Sequence, residues 1–334
     1  MFKLRLLLTA LALSSSLSAM ALEPLPTTAP APADNPTTPE KVELGKLLYH
    51  DPRLSSSGTV ACASCHNTSL GGEDNRPNSV GINGQTGGRS APTVWNAAFN
   101  AVQFWDGRAA SLEEQAAGPV TNPIEMGMKS WDDVVARLKT IKGYQVAFAK
   151  AFGDDNAITK ANATKAIAAY ERTLITPNSA YDKFVAGNKA ALTVQQQHGL
   201  EKIQALGCTG CHSGPAFNGP GGFQKFPVFS NGYFEAQYHI SKDLGRAEVT
   251  KNDNDKHLWK VPTLRNVAIT APYFHNGSVK TLDAAVKLMA KLQLNQDLSD
   301  ADTADIVAFL NALTGEFPHQ TLPSLPATPG STFN

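Results

Sequence analysis

With 334 residues, 42% hydrophobic and 17% charged, and a formal net charge of zero, the chain has the composition of an ordinary globular protein. No basic excess marks it for nucleic acid. The length exceeds what one core of typical size needs, so two domains are expected.

At the start, Lys3 and Arg5 precede an apolar run from Leu6 to Leu13, and Ala19-Met20-Ala21 supplies an A-x-A cleavage site. Residues 1–21 therefore read as an export signal, and the run is far short of the roughly 20 residues of a membrane-spanning helix. No other stretch is apolar enough to span a bilayer, so no membrane span is expected. Residues 22–40, rich in Pro, Thr and Ala, read as an extended tether.

Apolar residues at three- and four-residue spacing then predict helices over Lys41–Tyr49, Trp131–Leu138, Asn162–Leu174, Val194–Leu206, Leu282–Leu292 and Asp300–Leu313. In the last, Ser299 caps the first turn, Ile306, Phe309, Leu310 and Leu313 form a stripe, and Gly315 sits where a helix ends. Two Gly- and Pro-punctuated stretches, Gly71 to Pro92 and Ser213 to Phe229, are unsuited to regular structure. A large apolar cofactor would organise such backbone around itself. The expected class is mainly α, with little strand and long irregular loops.

All four cysteines fall in two C-x-x-C-H motifs, Cys62 to His66 and Cys208 to His212, whose first cysteines lie 146 residues apart. In that motif two thiols add to haem vinyl groups and the adjacent His becomes the proximal iron ligand. A zinc site, two redox pairs or disulfides compete for the same cysteines. The histidines decide: with 8 in the chain, the chance that both pairs are followed by one is below roughly one in a thousand. Two covalently bound haem c groups follow, in tandem cytochrome c-like domains over 41–187 and 188–334, the second ending in a C-terminal tail.

A sixth ligand separates electron transfer from catalysis, because methionine fills the iron whereas an open position admits a substrate. After the signal only Met126, Met128 and Met289 remain. Met289 lies on a helical pattern, where core packing explains it as well as ligation does. A lone Glu such as Glu125 fits a solvated surface charge equally well.

Five segments narrow these choices: Ala91-Pro92-Thr93-Val94-Trp95-Asn96-Ala97-Ala98-Phe99, Gln103-Phe104-Trp105-Asp106-Gly107-Arg108, Asn122-Pro123-Ile124-Glu125-Met126, Val261-Pro262-Thr263-Leu264-Arg265-Asn266-Val267 and Ala271-Pro272-Tyr273-Phe274-His275-Asn276-Gly277. In this order, from about Leu44 to Phe317, they resemble the bacterial dihaem cytochrome c peroxidases. The resemblance implies a periplasmic homodimer that reduces hydrogen peroxide to water with electrons from a small cytochrome c or cupredoxin. It makes the His66 haem the peroxide-reacting one and the His212 haem, with Met289 as axial ligand, the electron entry point. It places Trp105 between the haems and Glu125, with Gln115 beside it, as the acid-base group in the distal pocket.

The family's calcium ion would take backbone carbonyls of Thr270 and Pro272, with Ser90 where an asparagine usually stands. Protein-modifying dihaem oxidases carry a tyrosine at the Met289 position, which argues against that class, and a plain electron carrier would need no open iron. One departure matters. Well-studied relatives carry, at the place of Ile82, a histidine that blocks the peroxidatic iron until the other haem is reduced. Isoleucine cannot ligate, so the site is expected to be open in the oxidised protein unless Met126 or Met128 substitutes.

Overall fold

The computed structural model describes residues 23–153, 156–219 and 222–328, so the predicted signal lies outside it. The first half contains α1 (Pro39–His50), α2 (Cys62–Cys65), α3 (Leu112–Thr121), α4 (Trp131–Lys139), α5 (Lys142–Phe152) and α6 (Lys160–Glu171). The second contains α7 (Ala180–Val185), α8 (Val194–Ala205), α9 (Gly232–Tyr238), α10 (Ala247–Thr250), α11 (Leu282–Leu294) and α12 (Asp300–Asn311). One antiparallel ribbon, β1 (Phe223–Lys225) with β2 (Leu258–Lys260), pairs Gln224 with Trp259. It interrupts a stretch expected to be wholly irregular.

All six predicted helices form. Each begins at a hydroxyl cap, Thr38, Ser130, Thr159, Thr193, Thr281 or Ser299, that accepts a first-turn backbone N–H. The sequence pattern missed α3 because Gly118 and Pro119 in its last turn read as breakers, and α5 because Ile141 gives it no side-chain cap.

The two halves share one plan. In the first, α1 crosses α6 so closely that a Cβ on Gly45 would lie 1.9 Å from the Ala166 carbonyl oxygen and next to the Tyr170 Cβ. In the second, α8 crosses α12 with a Cβ on Gly199 lying 2.0 Å from the Asp305 carbonyl and next to the Phe309 Cβ. The loops repeat as well. Thr93 Oγ1 donates to Gly71 O and Thr263 Oγ1 to Ala216 O, both at 2.6 Å. Asn96 and Asn266 both take the left-handed conformation, with φ of 63° and 60°. Short bridges then pair Gln103 with Ala109 and Tyr273 with Val279 ahead of α3 and α11.

The join between the halves is nearly symmetric. The Asn96 and Asn266 side-chain amides both donate to Thr176 Oγ1, at 2.8 and 2.9 Å. The Ser90 N–H donates to His275 O at 2.7 Å, and the Lys260 N–H to Trp105 O at 2.9 Å. Helix α7 belongs with the second core, since Tyr181 packs edge-on against Phe217 and Phe309 with ring centroids 5.1 and 5.8 Å away. The domain boundary therefore falls near Thr176 rather than between residues 187 and 188.

Both ends cross to the opposite half. The stretch expected to be a tether is irregular but docked: Leu25 is 3% exposed and its N–H donates to Asp182, while Asn35 is fully buried and donates to Glu113 and the Lys165 carbonyl. The C-terminal tail lies on the first half, where Phe317 meets Trp95 edge-on at 4.9 Å and Arg53 donates to Pro326 O at 2.9 Å. No helix among the described residues is long and apolar enough to cross a membrane.

Candidate active site

Each C-x-x-C-H motif opens onto its own cavity. The first, about 180 Å³, is lined by Cys62, Cys65 and His66 from α2 and its end, by Gln115 of α3, and by Trp105 and Glu125 from loops. The second, about 280 Å³, is lined by Cys208, Cys211, His212 and Met289 of α11. The cysteine pairs thus face separate spaces, which removes a shared four-cysteine zinc site. No cysteine forms a disulfide, and burial pushes the Cys62 thiol up to about 12, so the pair nearest Glu125 presents neutral thiols to an apolar space.

The histidines are oriented as metal ligands are. His66 Nδ1 lies 3.0 Å from the Pro92 carbonyl and His212 Nδ1 3.2 Å from the Phe217 carbonyl. A proton on each Nδ1 leaves Nε2 free, the arrangement that fixes a ligating imidazole. Burial pushes both imidazoles toward the neutral form that a metal requires. Two haem c groups fit these cavities.

The other wall of each cavity comes from α3 or α11, and here the shared plan diverges. Leu112, Gln115, Ala116 and Pro119 of α3 line the first cavity at the same relative positions as Leu282, Ala285, Val286 and Met289 of α11 in the second. Met289 brings a thioether to the His212 side; its counterpart Pro119 brings nothing that can ligate. The sequence reading missed Pro119, because its meaning appears only when the two helices are matched.

Glu125 faces the first cavity from the loop after α3. Asn122 Nδ2 donates to its Oε1 at 2.7 Å, and among the described residues Oε2 has no hydrogen-bond partner. Burial raises its pKa, partly offset by the charge of Arg108, which lines the same cavity. Ile82 does not line that space: it is 6% exposed, its N–H donates to Glu125 O at 2.9 Å, and its side chain fills the room a Cβ on Gly127 would need. Met126 lines the cavity and Met128 does not.

Trp105 lines both cavities, and its indole N–H donates to Ser90 O at 2.9 Å. Arg89 clamps the same region by pairing with Asp106 of the first half and, at 2.6 Å, with Asp243 of the second. Thr270 and Pro272 lie at the second cavity, and among the described residues their carbonyls accept no hydrogen bond. The Ser90 carbonyl already holds the indole.

A family profile described as di-haem cytochrome c peroxidase matches residues 39–190. The cytochrome c551 peroxidase of Nitrosomonas europaea is 43% identical over 304 residues, covering 91% of this chain and 88% of that protein. The chain belongs to the di-haem cytochrome c peroxidase family. The cytochrome c peroxidase Ccp of Escherichia coli K12 is 47% identical over 288 residues, 86% of this chain, which spans 61% of the length of the E. coli protein. Among solved structures, a MauG-like protein associated with microbial copper homeostasis has a TM-score of 0.78 at 28% identity, over 87% of this chain and 94% of its own.

Proposed function

We propose that this chain reduces hydrogen peroxide to water at the His66 haem, with electrons from a small cytochrome c or cupredoxin entering at the His212 haem. The observation that carries this division is the asymmetry of α3 and α11: Met289 faces one haem site, whereas Pro119, Gln115 and Glu125 face the other. Haem iron, when bound, supplies the peroxide-binding position and the electron-transfer centre.

The chain supplies the proton chemistry. Glu125 Oε2 takes a proton from one peroxide oxygen and returns it to the departing one, while Asn122 holds Oε1 in place. Gln115 offers an amide to the bound oxygens. Each peroxide consumes two electrons, one from each of two donor molecules, and two protons from solvent, giving two waters. Trp105, in contact with both cavities, offers the path between them. Thr270 and Pro272 supply carbonyls for a calcium ion that braces this junction, and Ser90, whose carbonyl holds the Trp105 indole, stands at a third position of the family's site. The N-terminal motif supports export to the periplasm, and the family resemblance supports a homodimer.

The test is direct. Purified holoprotein mixed with a reduced small cytochrome c and peroxide should oxidise two donors per peroxide. Failure with every small donor, with both irons six-coordinate at all oxidation levels, would leave a plain electron carrier.

A further inference from the structure

The last residue of α6, Glu171, is 6% exposed and faces the His66 cavity. No side-chain donor reaches it among the described residues; its neighbour Arg172 donates from Nη2 to Glu113 at 2.8 Å and acts on Glu171 by charge alone. A buried carboxylate without a partner is costly, and burial pushes Glu171 up to about 8.

The second half shows that the scaffold does not require an acid here. Matching the two helix crossings sets Gly45, Ala166 and Tyr170 on Gly199, Asp305 and Phe309. Ile167 then falls on Ile306, and Glu171 on Leu310, which faces the His212 cavity. The same position holds leucine at the Met289 site and a carboxyl at the site that lacks a methionine.

Few other groups near Glu171 change charge close to neutrality. Arg172 of α6 and Glu113 of α3 neutralise each other, and Tyr49 of α1 donates its hydroxyl to His66 O. Burial lifts Tyr170 of α6 and Cys62 of α2 to about 12 each. Glu125 is the other carboxyl at the cavity, which Cys65, His66 and the cations Arg89 and Arg108 also line.

We propose that Glu171 takes up a proton when the His66 haem gains an electron and releases it when that electron leaves. This rests on the reading of His66 as a haem ligand. The donor's electron lowers the charge of the haem by one, which removes the positive field that favours the carboxylate. Glu171 then binds one proton from water, and no other bond changes.

Spectroelectrochemical titration of the holoprotein across about pH 6 to 9 tests this, since that window brackets the raised carboxyl. The midpoint of the His66 haem should fall as pH rises, approaching a tenfold change in the reduction equilibrium per pH unit, ~59 mV for one electron. E171L, which installs the residue of the other half, and E171Q, which keeps the shape, should each flatten that slope and leave the His212 haem unmoved. Glu125→Gln should keep it. A wild-type midpoint indifferent to pH, a slope surviving in either Glu171 variant, or one lost in Glu125→Gln overturns the proposal. The wild-type slope decides even if a variant fails to mature. Fewer than two haem c per chain in a pyridine haemochrome assay would sink the underlying site assignment instead.

Discussion

A group that must take and return a proton works best with a pKa near the operating pH, and the surroundings of Glu125 move it that way. Burial raises the pKa, and in the proposed mechanism the base form is the active one, so turnover should fall on acidification at a higher pH than an exposed glutamate would give. Glu125→Gln keeps the shape and the Asn122 contact but removes the base. Turnover should drop roughly a hundredfold or more, with haem content intact and the acid limb gone; near-normal steady-state rates would reassign Glu125 to the scaffold. At this scale the cysteines and histidines were legible because haem attachment needs them contiguous. Pro119 and Glu171 were not, since each is an ordinary helix residue until it is compared with Met289 or Leu310 in the other half.

Helices announced themselves where a hydroxyl cap preceded an apolar stripe, as at Thr193 for α8 and Ser299 for α12. They stayed hidden where the stripe contained a breaker, as at Pro119. The crossing of α8 and α12 was equally invisible, because a single glycine carries it. A Cβ on Gly199 would sit 2.0 Å from the Asp305 carbonyl, so the two helices must separate to admit it. Gly199→Ala should cost about 1–3 kcal/mol, the range for overpacking. Thermal melts followed at 222 nm should fall by several degrees; an unchanged melt would mean that α8 slides freely along α12.

Across the whole molecule, the departure at Ile82 bears on coupling between the haem sites. Gating by a loop needs two states that exchange a bond. Here the Ile82 side chain is packed in the first core and its N–H is tied to Glu125 O, while Ser79, Gly81 and Gly87 of the loop line the cavity, so Ile82 offers no ligand. The oxidised holoprotein should therefore react with peroxide without prior reduction, seen as an immediate Soret change in stopped-flow mixing. A change that appears only after one-electron reduction would show that gating survives, with Met126, which lines the cavity, as the ligand to test. Two tandem units were legible from the motif spacing. The boundary near Thr176 was not, because α7 leaves no mark of which core it joins.

The crossed ends set an order on how the molecule is completed. A chain made from its N-terminus presents Leu25 long before its partner Asp182 exists, and Trp95 long before Phe317. The first half therefore emerges with one edge unlatched and a tryptophan face uncovered, and residues made much later, Phe317 and Pro326 among them, seal the half that was made first. Completion of the His66 half is thus a late event of biosynthesis, although its two cysteines lie in the first quarter of the chain.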